Sequence, residues 1–384
     1  MTVPTSLWQT FALHLDAMRP GFVLGPWFTM NAVLEFDRPL DHSALAAAFT
    51  ELQRRHDVLR TEIVAGPAQY LHPLPTAELE VVDSVELHAE VPVAAPVRLR
   101  VADRRLALHL HHLVSDPVTL WTALDELALL YSAQLSGVDV PPPAAQYADY
   151  TRNEAELVER QHGAASEWWQ NRITDAKACP QPSTTGGADF AYRGELLNAD
   201  ELTSVEQRSQ SCRSTPLVTL LAGLAAGMAP YVGPGDALVL NTLLSKRDRP
   251  QWQRVLGPCI IPSVLAVPLP TGSLAADVPT IREAVLGCVK YARFPILEVP
   301  APARTPFFEY VPQQWPSGYD FGPSRGTVHA VAGPKDTGLA DALAIRLRPS
   351  ADQVLTGHFS GDGTDWNQPL VAELFAGMRQ YLLA

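Results

Sequence analysis

The 384-residue chain is longer than one hydrophobic core usually supports, so its length predicts two lobes of ordinary domain size. A hydrophobic share of 47% with 18% charged residues excludes a disordered chain, and four cysteines without CxxC or zinc spacing exclude a disulfide-stapled scaffold. The formal net charge of -12 repels phosphate backbones and anionic lipid, which argues against nucleic acid and membranes as partners.

The first residues carry no secretory pattern, because the stretch Trp8 to Arg19 is interrupted by Gln9, Thr10, His14 and Asp16. A cytoplasmic address is expected, with Cys179, Cys212, Cys259 and Cys288 as structural thiols. Residues Thr29 to Phe36 read as a strand, and Asp41 caps a helix with Leu45, Phe49 and Leu52 on one face. Val97 to Val101 and Arg105 to His111 alternate around a short turn at Ala102 to Arg104 and predict a hairpin. A long helix follows from Pro117 to about Leu135, closed by Gly137.

Between Thr174 and Asp189, Pro, Ser, Thr and Gly replace any periodic pattern, which predicts a linker at 174–189 between an N-terminal lobe, 1–173, and a C-terminal lobe, 190–384. In the second lobe helices are expected near Leu217 to Met228, Ile281 to Tyr291 and Gln368 to Leu382. Strands are expected at Ala237 to Leu243, Cys259 to Val267, Asp341 to Leu347 and Gln353 to Phe359. The most apolar stretch, Leu217 to Val232, is short and Gly-rich and reads as a buried core helix.

The chemistry concentrates in His109-Leu110-His111-His112-Leu113-Val114-Ser115-Asp116-Pro117, where a strand ends and a helix begins. Strand residues alternate between faces, so one of His111 and His112 faces a core and the other can face substrate. Three plainer readings compete: Asp116 before Pro117 is a helix cap, His109 and His111 on one face are a metal pair lacking a third ligand, and Ser115 is a nucleophile without its elbow motif.

This segment resembles the HHxxxDG signature of the condensation domains of nonribosomal peptide synthetases, within the chloramphenicol acetyltransferase-like acyltransferases. Arg54-Arg55-His56-Asp57-Val58-Leu59-Arg60-Thr61 is similar to the family's RHExLRT segment, Tyr147-Ala148-Asp149-Tyr150 to its YxDYA segment, and Trp168-Trp169 to a pair closing the first lobe. Ser245-Lys246-Arg247 followed by Leu256-Gly257-Pro258-Cys259 resembles its AGR…IGxF stretch. The chain departs from the pattern at Pro117, where the family has glycine, near Ile261, where it has asparagine, and around Thr5 to Gln9.

The resemblance implies a mixed α/β fold of two chloramphenicol acetyltransferase-like lobes, arranged as a V-shaped pseudodimer with a channel between them. It implies a free-standing condensation enzyme in which His112 helps pass a thioester-held acyl or aminoacyl group to an amine. His111, Asp116 and Arg247 support the motif, the last two as a bidentate ion pair across the lobe junction. No metal, nucleotide or redox cofactor is implied. The partners are peptidyl or acyl carrier proteins, whose phosphopantetheine bears the substrates, and an amine acceptor, free or carrier-bound. A coenzyme A or polyketide-carrier acyltransferase and a catalytically silent recruitment module are the alternatives.

Overall fold

The computed structural model describes residues 2–63, 68–174, 188–232, 237–302, 304–312, 316–335 and 343–384. In chain order the first elements are β1 (Thr2–Pro4), α1 (Leu7–Met18), β2 (Thr29–Phe36), α2 (His42–Arg55), β3 (Thr61–Ile63), β4 (Ala68–Leu71) and β5 (Leu79–Val81). There follow β6 (Val97–Ala102), β7 (Arg105–His111), α3 (Pro117–Ser136), α4 (Tyr147–Thr174), β8 (Phe190–Leu197), α5 (Ala199–Ser211), α6 (Pro216–Met228) and β9 (Ala237–Ser245). The last are β10 (Ile260–Pro268), α7 (Leu274–Lys290), β11 (Phe307–Tyr310), β12 (Gly318–Phe321), β13 (Ser324–Ala332), β14 (Ala344–Pro349), β15 (Leu355–Gly361) and α8 (Gln368–Leu383).

The chain forms two compact units, and the division is not the single cut expected at 174–189, a segment of which 175–187 lie outside the described residues. The first unit comprises Met1–Leu157, Ser245–Ile261 and Trp315–Thr337; the second comprises Val158–Leu244, Pro262–Gln314 and Gly338–Ala384. The reason lies in burial and pairing. Trp252, Val255, Leu256 and Cys259 bury their side chains in the first core, and β13 pairs antiparallel with β2, covering an edge that would otherwise offer open backbone groups.

In the first unit a six-stranded sheet runs β12-β13-β2-β7-β6-β5, and a small sheet runs β1-β4-β3. Met30, Ala32 and Leu34 of β2 and Leu106, Leu108 and Leu110 of β7 fill the core together with Leu45, Phe49 and Leu52 of α2 and Leu120, Leu124 and Leu127 of α3. Period-two alternation therefore sends Thr29, Asn31, His109 and His111 to the other face. The β6–β7 hairpin turns at Asp103, whose φ is 46°, and Gly137 at φ 71° ends α3.

In the second unit a six-stranded sheet runs β10-β9-β11-β14-β15-β8 over a core that includes α6 and α8. Helix α6 is buried along most of its length, as its composition requires. Among the described residues no single helix is long and apolar enough to cross a membrane. Trp168 and Trp169, expected in the first lobe, lie in the second unit, where Trp169 is buried and its Nε1 donates to the Tyr291 carbonyl at 3.1 Å.

Candidate active site

Strand β7 delivers His111 and His112 to opposite environments. His111 is fully buried: its Nε2 donates to the Gly25 carbonyl at 3.2 Å, and its Nδ1 accepts the Leu113 N–H at 3.3 Å. Both ring nitrogens are thus used, which leaves no lone pair for a metal shared with His109. Burial, with a smaller contribution from His112 and against the Gly25 hydrogen bond, pushes the His111 pKa down to about 4, so the ring is neutral. His109 is also buried; its Nδ1 meets Asn31 Oδ1 at 2.9 Å, and burial followed by Arg100, Arg98 and His88 pushes it down to about 3.

His112 is half-buried, with its ring between Phe28, stacked at 5.0 Å and 26°, and Trp8, tilted at 5.0 Å. Its Nδ1 lies 2.7 Å from the Ser115 carbonyl. A carbonyl only accepts, so the proton sits on Nδ1, and in the neutral ring the basic lone pair sits on Nε2. Ser115 itself is buried and gives its hydroxyl to the His111 carbonyl at 2.9 Å, an arrangement that serves the loop rather than nucleophilic attack.

The motif loop is tied down on every side. His112 N–H donates to Phe28 O at 2.7 Å, Trp8 Nε1 donates to His112 O at 3.1 Å, and Gln9 Nε2 donates to Leu113 O at 2.9 Å. Trp8 and Gln9 stand on α1, whose N-terminus is set by a Ser6–Gln9 capping box and by Glu154 Oε2, which accepts the Leu7 N–H at 2.7 Å. Glu154 is positioned in turn by the Tyr150 hydroxyl at 2.9 Å. Trp8 and Gln9 fall in the Thr5 to Gln9 segment, where the sequence shows only a departure from the family pattern, and the Ser-x-x-Gln spacing at Ser6 is the local signal for their helix; Phe28 and Glu154 carry no such signal.

Asp116 is both helix cap and ion-pair partner. Its Oδ1 accepts Thr119 N–H at 2.7 Å, and its Oδ2 accepts Cys259 N–H at 3.0 Å. Arg247 Nη2 reaches both oxygens, at 3.0 and 3.1 Å, and also the Gly257 carbonyl at 2.9 Å. The pair differs from the expected one in two respects. It is not a two-nitrogen fork, because Nη1 is engaged by the Trp252 and Val255 carbonyls at 3.1 and 2.6 Å, and it lies within the first unit rather than across a lobe junction. Both side chains are buried, Asp116 at 1% and Arg247 at 7% exposure, so their many hydrogen bonds offset a large desolvation cost. Pro117 occupies the first helical position, where no intrahelical N–H is needed, and Asp116 is extended at φ -126° and ψ 176°.

Two further matching segments hold this scaffold. Arg55 Nε and His56 Nε2 meet the two oxygens of Glu126 on α3 at 2.7 and 2.8 Å, fixing the helix that Asp116 caps. Gly257 has φ 136° and lies so close to the Tyr147 ring that a Cβ would stand 2.1 Å from it, while the Tyr147 hydroxyl donates to Pro258 O at 3.3 Å.

The sequence of residues 86–300 matches the family model described as "Condensation domain". Phosphinothricin tripeptide synthetase PhsC of Streptomyces viridochromogenes is 28% identical over 66% of this chain, which spans 26% of that synthetase's length. Among solved structures, the condensation domain from Monacolin K polyketide synthase MokA superposes with a TM-score of 0.78 at 15% identity, covering 100% of this chain and 97% of that one. SgcC5 protein from Streptomyces globisporus gives 0.74 at 20%, covering 99% and 97%. These structures share the two-lobe chloramphenicol acetyltransferase-like fold. With the family model covering more than half of its residues, the chain belongs to the condensation-domain family.

Proposed function

We propose that this chain catalyses amide formation, passing an acyl or aminoacyl group from the phosphopantetheine thioester of a carrier protein to an amine. The observation that supports it most directly is the His112 tautomer, with Nδ1–H on the Ser115 carbonyl and the basic lone pair on Nε2. In this reading the amine nitrogen adds to the thioester carbonyl carbon, and Nε2 takes the proton that the nitrogen sheds. Collapse of the tetrahedral intermediate breaks the C–S bond, and the proton passes to the departing sulfur as the thiol leaves. Asp116 and Arg247 hold the loop and do not touch the reacting atoms. The thioester carries the activation energy, so the reaction calls for no metal or nucleotide.

The test is intact-mass analysis of product formed from an acyl- or aminoacyl-loaded carrier protein and an amine, with and without chelator. Amide formed only in the presence of the protein supports the reading. Product formed equally well from free acid and ATP, or transfer from acyl coenzyme A alone, would sink it in favour of a different acyltransferase chemistry.

A further inference from the structure

Beside the site, the segment after α1 forms a built loop. Asp16 Oδ1 accepts the Val23 and Leu24 N–H groups at 2.8 and 2.9 Å, Gly21 takes φ 82°, and Gly25 packs so tightly that a Cβ would lie 2.2 Å from the Gly21 carbonyl oxygen. This loop and Lys335 border an open pocket of about 450 Å³, lined by Arg19, Phe22, Trp27, Phe28 and Lys335 together with Pro20 and Gly21. The volume suits a small-molecule substrate.

Three features point to its occupant. Both charged residues in the lining are cations, in a protein whose net charge is -12. Each lies over an aromatic ring, Arg19 over Phe22 at 5.7 Å and Lys335 over Trp27 at 4.8 Å, and Lys335 has no carboxylate partner among the described residues. Trp27 is 38% exposed, a large aromatic surface left open to the cavity. The cavity also adjoins the candidate chemistry, since Phe28, one of its lining residues, is stacked on His112.

Building on the condensation reading, we infer that this cavity is an oxyanion subsite for the acceptor, holding the carboxylate of a free amino acid with a flat or bulky side chain. Arg19 and Lys335 receive the carboxylate, and Trp27 and Phe22 receive the side chain. A pantetheine arm offers the same oxyanion chemistry through its phosphate, so the experiment must separate the two sources.

Tryptophan fluorescence of the whole protein is followed, without any acyl donor, during titration with phenylalanine, with phenethylamine, which lacks the carboxylate, and with phosphopantetheine beside pantetheine. Phenylalanine should bind at least about fivefold more tightly than phenethylamine, and Lys335→Ala should remove about that factor. Trp27→Phe should abolish the signal, and His112→Ala should leave binding intact, so the subsite can stand even if condensation activity fails. Equal binding of phenylalanine and phenethylamine, or binding unchanged by Lys335→Ala, overturns the subsite. Tight phosphopantetheine with no phenylalanine binding overturns the free amino acid as occupant and assigns the cations to the carrier's arm.

Discussion

The ring of His112 and the carbonyl of Ser115, three residues apart, are 2.7 Å from each other, so the loop that presents the histidine also sets its tautomer. The Ser115 carbonyl is independent of that residue's side chain, and no titration of a partner is needed to hold Nε2 in its basic form. His112→Ala should therefore lower single-turnover amide formation by 10²-fold or more, in the range of a lost general base. The variant should stay folded, with only a modest drop in melting temperature for the lost Ser115 hydrogen bond and ring contacts of a half-buried side chain. Wild-type turnover by this variant would remove His112 from the chemistry.

His111→Ala should behave in the opposite way. The Gly25 carbonyl and Leu113 N–H would each lose a buried partner, a cost of about 1–3 kcal/mol per stranded group. Denaturant unfolding should show the loss. A variant as stable as the parent would contradict the buried placement.

Acid should weaken the fold through the same residue. Unfolded His111 takes up a proton near pH 6.5, whereas the folded residue resists until about 4, so the unfolded state binds more protons in that window. Its contribution is complete above pH 6.5 and is lost as pH falls to about 4, amounting to about 3 kcal/mol. Stability of the parent and of His111→Asn measured from pH 7.5 to 4.5 checks this: the parent should decline more steeply. Parallel curves would refute the assignment.

Asp116→Ala leaves the Arg247 guanidinium buried with its carboxylate gone, and also removes the cap on Thr119 N–H, for an expected cost of about 3–5 kcal/mol. Adding Arg247→Met should restore part of that, giving a double-mutant coupling of about 1 kcal/mol or more. Independent effects in chemical denaturation would mean that the pair contributes nothing beyond its separate halves.

Gly257→Ala should unfold the first unit or cost about 3 kcal/mol or more, since alanine is strained at φ 136° and its Cβ meets the Tyr147 ring. Solubility and circular dichroism provide the readout. A normally folded variant would show that the ring can yield.

Much of this was legible from local pattern. Alternation gave β2, β6 and β7 nearly to the residue, and Asp116-Pro117 with Gly137 bounded α3, because caps and strand faces are properties of a few neighbouring side chains. Helix α7 was read from Ile281, but it begins at Leu274 and runs through Pro279, which local reading takes as a breaker. Long-range partners were not legible. The pairing of β13 with β2, the insertion of Trp252 and Leu256 into the first core, and the place of Trp168-Trp169 in the second unit all depend on contacts between distant segments. Within the site, the residue types of the loop were plain, while the hydrogen bonds from Trp8 and Gln9 arise from tertiary packing, since a helix a hundred residues upstream leaves no mark on the motif's own spacing.

The pairing of β13 with β2 makes order of synthesis matter. A ribosome delivers the histidines early, but the outer edge of β2 has no strand to meet until residues 324–332 emerge, and Asp116 waits 131 positions for its guanidinium. The first unit must be finished after most of the second has already been translated. A nascent chain therefore carries an open strand edge for most of its elongation, and for part of that time a charge without its counterpart, which is the state most exposed to wrong pairing and to chaperone capture. Cutting the gene at the apparent boundary would make that transient condition permanent.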